Sequence, residues 1–152
     1  MIAPLRAIPR ATRHGSFRLD LDADRAFDLF TPDGERRWVP GWDPVILGEL
    51  APGTVWLTDM DGEHTIWTVI EADRAAGRLF YSRVSPGRRA GTVRVELARD
   101  GAGTRVTVAY DITAIAPDGE PAVTSMSEAG FAGMLAKWEQ MISEALASEG
   151  VA

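Results

Sequence analysis

Few side chains in this sequence have the type and spacing that chemistry requires. Asp59 and His64 straddle Asp61-Gly62, a dipeptide that favours a two-residue hairpin turn. Counting outward from the turn pairs Asp59 with His64 across two strands, and a carboxylate beside an imidazole orients it for acid–base work. The same register puts the pair next to the hairpin tip, where a solvated ion pair contributes only about 0–1 kcal/mol. A cavity role for it requires the Val55, Leu57, Ile66, Ile70 face to be the concave one. Tyr81 and Arg83 share one strand face with Leu79. If that face points inward, Arg83 needs a carboxylate or a ligand as partner, because a buried guanidinium is costly alone. If Phe80, Ser82 and Val84 point inward instead, Arg83 is solvated. Tyr110 follows Val106 and Val108 onto the apolar face of its strand, so its phenol reaches the core or a cavity and seeks a partner there.

The tryptophans form a second group, five in 152 residues. Trp38 and Trp42 bracket Pro40-Gly41, Trp56 and Trp67 face each other across the predicted hairpin, and Trp138 lies on a helical apolar stripe with Met134. Aromatic side chains of this kind line pockets for small apolar ligands, and they also fill cores. The Trp56/Trp67 pair has two readings, inward or on the outer face, and the outward one would offer a surface for a homodimer. The residues expected to meet a ligand are Trp38, Trp42, Trp67, Tyr81, Arg83, Tyr110, Met134 and Trp138, with Trp138 foremost. Glu35, Arg36 and Arg37 read as dipole compensation and solvated charge on a short helix. With no cysteine and two histidines, a metal centre has little to draw on, and none is expected. Gly101 and Gly103 separate two strands, which is not a phosphate loop, and there is no nucleophile elbow or triad. No cofactor is expected.

The elements that position these residues read as one domain. Hydrophobic residues are 45% and charged residues 25% of the chain, as in ordinary globular proteins. The net charge of -6 argues against a nucleic-acid partner. No apolar run is long enough to span a bilayer, and Met1–Arg13 lacks the apolar core of a signal peptide, which together predict a soluble cytoplasmic domain. Residues 1–12 are expected to be flexible and 13–152 to form the domain. His14–Leu21 alternates as a strand. Asp22 caps a short helix with Ala26, Phe27 and Phe30 buried, and Thr31-Pro32 opens a second one that carries Trp38. About six antiparallel strands follow between Val45 and Thr113. Ser125-x-x-Glu128 reads as a capping box for a long final helix, buried along Phe131, Met134, Leu135, Trp138, Ile142, Ala145 and Leu146 and ended by Gly150.

That order resembles the SRPBCC superfamily, which includes START domains, birch-pollen-allergen-type proteins and polyketide cyclases. Four stretches carry the resemblance, over about residues 14–149. They are Phe30-Thr31-Pro32-Asp33-Gly34-Glu35-Arg36-Arg37-Trp38-Val39-Pro40-Gly41-Trp42-Asp43-Pro44, Trp67-Thr68-Val69, Tyr81-Ser82-Arg83-Val84-Ser85-Pro86-Gly87 and Tyr110-Asp111-Ile112-Thr113-Ala114. The resemblance is nearest to a bacterial branch of unassigned function. It implies an α+β helix-grip fold: a curved antiparallel sheet of six to seven strands wrapped around a long C-terminal helix, with a cavity between them. It also implies binding of a small hydrophobic or aromatic ligand, lipid included, for transport or sensing. Two alternatives come with it: a cyclase- or dehydratase-like enzyme using acid–base chemistry in the same cavity, and a protein-interaction role like that of chaperone-activator members. A fold this widely used implies architecture far better than activity.

Overall fold

The computed structural model describes residues 8–150. Strand β1 (Arg10–Leu19) is followed by helix α1 (Ala23–Asp28) and a 3₁₀ turn (Gly34–Arg37). Strands β2 (Val45–Ile46), β3 (Val55–Met60), β4 (Glu63–Asp73), β5 (Arg78–Ser85), β6 (Arg89–Asp100) and β7 (Gly103–Ala114) then lead to α2 (Glu120–Thr124) and α3 (Glu128–Ser148). The strands form one antiparallel sheet in the order β1-β7-β6-β5-β4-β3-β2, curved under α3. This is the helix-grip architecture implied by the sequence.

Local chemistry accounts for most boundaries. Asp61 and Gly62 both take positive φ, as the tight turn between β3 and β4 demands, and the register pairs Trp56 with Trp67 and Asp59 with His64. Asp22 accepts a hydrogen bond from the backbone N–H of Arg25 and starts α1. A bulge at Ile70 in β4 shifts the pairing by one residue. It lets Ala72 join Val69 on the inner face, opposite Leu79.

Three boundaries differ from expectation. β1 begins at Arg10, inside the segment predicted to be flexible, because it pairs with β7 along its full length and Arg10 ion-pairs with Asp111. Residues 1–7 of that segment lie outside the described residues. The second helix is a 3₁₀ turn starting at Gly34, where the Thr31 hydroxyl accepts the Gly34 N–H at 2.9 Å. The cap of α3 is Ser127, which accepts the Gly130 N–H at 3.0 Å, while Ser125 closes α2 and so is not the first member of a capping box.

The core is continuous between sheet and helices, and α3 buries Phe131, Leu135, Ile142 and Leu146 in it. Its seat is one-sided. The backbone of α3 comes closest to β1, where Gly15 leaves room for it: a Cβ there would stand 2.7 Å from Leu135 Cδ1. Over the other strands the helix stands away. Near the middle of the sheet Gly91, opposite Arg83, lies so close to β7 that a Cβ would meet the Asp111 carbonyl oxygen at 1.9 Å. Gly91→Ala is therefore expected to part β6 from β7 and cost about 1–3 kcal/mol or more, read as a lowered midpoint in denaturant unfolding. An unchanged midpoint would contradict the packing described.

Candidate functional site

A cavity of about 450 Å³ occupies the space that α3 leaves open. Its floor is the inner face of β3–β7, where Trp67, Tyr81, Arg83, Val93, Val95 and Tyr110 point inward. Trp38, Trp42 and Glu35 form one wall, and Trp138 and Met141 of α3 the roof. The inward face of β5 is thus Leu79, Tyr81, Arg83 and Ser85, all buried, which resolves the two readings of that strand.

The wall is held by the segment between α1 and β2. The Trp38 indole donates to the Leu29 carbonyl at 2.7 Å and the Trp42 indole to that of Pro32 at 2.8 Å, while the Tyr81 hydroxyl donates to Phe30 O at 2.8 Å. Arg37 bonds Glu149 just beyond α3, so the same segment is tied to the helix as well. Trp56 and Trp67 stack inward with centroids 5.4 Å apart and planes within 5°. Trp42 meets Trp67 edge-on, Tyr81 meets Trp56, and Trp138 meets both Trp38 and Tyr110. Since the pair is buried, the argument for a homodimer from an outward Trp56/Trp67 surface fails. The apolar residues left exposed on the outer face include Ile66, Ile70 and Val84.

Charge is concentrated on the floor, beside the turns that join β3 to β4 and β5 to β6. Arg89 donates twice to Glu63, at 2.8 and 2.7 Å, whereas Arg83 reaches the same carboxylate only at 3.6 Å. The Arg83 hydrogen bonds run through Nη2, to Ser85 Oγ at 3.0 Å and Thr65 Oγ1 at 3.5 Å. Its Nε is buried with no acceptor among the described residues. The guanidinium also lies 5.0 Å from the centre of the Trp67 ring. Burial alone would raise the pKa of Glu63, but hydrogen bonds and charge from Arg89, with help from Arg83 and Ser85, bring it down to about 2. Burial, followed by repulsion from Arg89, lowers that of Arg83.

Glu35 is the opposite case. Its carboxyl is packed into the cavity wall without an ion pair among the described residues, and burial pushes its pKa well above the usual carboxylate range. Tyr81 is raised by burial and then by Glu35. Tyr110 is raised to about 12 by burial, with Arg83 pulling the other way.

Of the eight residues expected to meet a ligand, seven line this cavity. Met134 does not: it packs against the core one turn away, and Met141 takes the roof position. Asp59 and His64 do come together, at 3.1 Å, but with side chains 76% and 54% exposed and outside the cavity. Asp59 shares strand parity with Leu57, and His64 with Ile66, so both belong to the outer face. Glu35, Glu63 and Arg89 were missed as cavity residues. Glu63 and Arg89 carried a readable signal, since each has the parity of inward residues on its strand. Glu35 stands three residues before Trp38 in a 3₁₀ turn, where positions i and i+3 eclipse and share a face. Among the described residues no three His, Asp or Glu gather to hold a metal ion, and no helix is long and apolar enough to cross a membrane.

A curved seven-stranded sheet closed over an aromatic hollow by one long helix defines a class, and the comparisons agree with it. Residues 11–140 match the family described as polyketide cyclase / dehydrase and lipid transport, and the chain belongs to that family, within the SRPBCC superfamily. No curated protein matches the chain. Solved structures show the same fold. Norcoclaurine synthase from Thalictrum flavum, in complex with dopamine and hydroxybenzaldehyde, superposes with TM-score 0.63 at 14% identity, covering 95% of this chain and 96% of that one. The protein Ara h 8.0201 gives 0.65 at 12% identity over 91% and 99%. The Mll3558 protein from Rhizobium loti gives 0.64 at 18% identity over 90% and 99%.

The depressed pKa of Glu63 fixes the sign of a pH effect. A carboxylate stabilised in the folded state contributes stability that is present above its ordinary value of 4.5 and lost as the pH falls toward about 2. Replacing it by Glu63→Gln should flatten the acid limb of the stability–pH curve between those values, measured by thermal unfolding. An unaltered limb would contradict the ion-pair arrangement.

Proposed function

We propose that the protein binds a small apolar or aromatic molecule in the cavity between the sheet and α3. The observation that carries this reading is the hollow itself: about 450 Å³, walled by indoles that are hydrogen-bonded to the backbone, with polar groups at a few separate points. That volume and that mixture are typical of small-molecule sites. The relative solved with dopamine and hydroxybenzaldehyde gives aromatic occupants a precedent on this fold. Thermal unfolding in the presence of a panel of mono- and bicyclic aromatics tests it, together with native mass spectrometry of protein purified from cells. At least one compound should raise Tm, as any ligand of the folded state does. Val93→Phe, which fills the hollow from its floor, should remain folded and lose that shift. No shift with any compound and no co-purified mass would refute the reading.

Glu35 favours a second, enzymatic reading related to cyclase and dehydratase chemistry. A carboxyl whose affinity for a proton is raised by burial, beside Tyr81 and Tyr110, is suited to take a proton from carbon next to a carbonyl group. In that step the C–H electron pair becomes the enolate and the proton goes to Glu35. Deuterium exchange at the α-carbon of an aryl 1,3-diketone, measured above buffer background, is the readout. Glu35→Gln should return the rate to background, and exchange as fast as in the native protein would remove this reading.

A further inference from the structure

The ligand reading leaves open what the polar end of the occupant must be, and the charge inventory of the cavity floor answers it. Two inward guanidinium groups, Arg83 and Arg89, share one carboxylate, Glu63. Arg89 takes both oxygens at 2.8 and 2.7 Å, so Arg83 is left at 3.6 Å with two hydroxyl groups as its other partners. Those hydroxyls also bond each other, at 2.8 Å, which divides their capacity. Arg83 is 7% exposed, and a buried cation with so little compensation is expensive. Among the described residues the other carboxyl on the cavity wall, Glu35, makes no ion pair with Arg83 or Arg89, both of which face Glu63 instead. Asp61 also borders the cavity, but at the exposed hairpin turn, and the exposed Arg88 borders it as well. The floor around Arg83 therefore carries an excess of buried positive charge, and Arg83 Nε has no acceptor among the described residues.

We infer that the cavity takes an aromatic molecule bearing an anionic oxygen, a carboxylate or an enolate-type phenolate, with that oxygen directed to Arg83 and the rings laid among Trp67, Tyr81, Trp138 and Trp42. This rests on the ligand reading above and narrows it to a chemical class. An anion at that point completes the pairing that Glu63 gives only to Arg89. A planar guanidinium is also the group best shaped to grip a carboxylate or an extended enolate. Contact with the Trp67 ring and the hydrogen bonds from Nη2 to Ser85 and Thr65 hold the guanidinium in place, so little is lost in fixing it when the ligand arrives.

The test is isothermal titration with two probes of the same shape: 2-naphthoate, which is anionic, and 2-acetylnaphthalene, which keeps the carbonyl but not the charge. The native protein should bind the naphthoate about ten- to a hundred-fold more tightly, the range for a charge-assisted hydrogen bond. Arg83→Met, which keeps the length of the side chain and removes its charge, should erase that preference while still binding the ketone. Arg83→Lys, which keeps the charge without the fork, should retain a smaller preference, and it serves as the variant of record if Arg83→Met does not fold. Equal affinity for the two probes in the native protein would overturn this inference and leave the ligand reading standing, as would a preference that survives the loss of the Arg83 charge. Binding of neither probe would overturn this inference, whereas the ligand reading falls only if the wider panel and the co-purified mass fail as well.

Discussion

The seat of α3 on the sheet sets the terms for everything else. An amphipathic helix of 21 residues laid on a concave sheet could bury its whole apolar stripe against the strands, and the result would be a solid core. Here the helix settles on β1, over Gly15, while the segment from Phe30 to Pro44 props the opposite side. That segment is rigid for local reasons. Gly34 sits where a Cβ would collide with the Asp28 carbonyl, the Thr31 hydroxyl bridges both, and the segment's two indoles are hydrogen-bonded to the backbone carbonyls of Leu29 and Pro32. Trp38 then meets Trp138 edge-on and stops the helix from closing further. The hollow is a consequence of these contacts, not of a missing side chain.

Within that hollow the polar groups are separated by environment. The floor near the hairpin holds charges that hydrogen bonding keeps ionised, with Glu63 far below its ordinary pKa. The wall holds Glu35, which burial keeps protonated over a wider pH range. Tyr110 senses both groups, Arg83 and Arg89 pulling its pKa down and Glu35 pushing it up, whereas Tyr81 senses Glu35 alone. One cavity thus offers an occupant a cationic contact from Arg83 and a carboxyl from Glu35 within an aromatic lining. The stacked Trp56 and Trp67 extend that interior under the floor, with aromatic edges meeting faces at almost every contact.

The order of elements was legible in the sequence because alternation and turn chemistry are local. Asp61-Gly62 set the hairpin register, and with it the Trp56–Trp67 and Asp59–His64 pairs, but not which of the two pairs faces inward. Period-two counting placed Tyr110 inward and allowed Arg83 to be. It could not choose between the two faces of β5, since Leu79, Tyr81 and Arg83 compete with Phe80, Ser82 and Val84 on nearly equal hydrophobicity. The structure decides for the face that carries Arg83, because Ser85, Thr65, Glu63 and the Trp67 ring supply partners there. Glu35 was illegible for a different reason. Its spacing puts it on one face of the turn with Trp38, but the approach of that turn to a distant sheet is encoded by no local pattern. Met134 was assigned to the cavity by helical periodicity, and the one-sided tilt of α3 gives that place to Met141 instead.

An aromatic hollow persists between helix and sheet, with the buried Arg83 guanidinium on its floor. A crystal structure of the protein as purified from cells, determined without added ligand, tests it most directly. The expected result is α3 standing off β3–β6, with residual electron density lying against Trp138 and reaching Arg83. A helix collapsed onto the floor, with Trp138 and Met141 packed against Tyr81 and Trp67 and Arg83 turned to solvent, would contradict it.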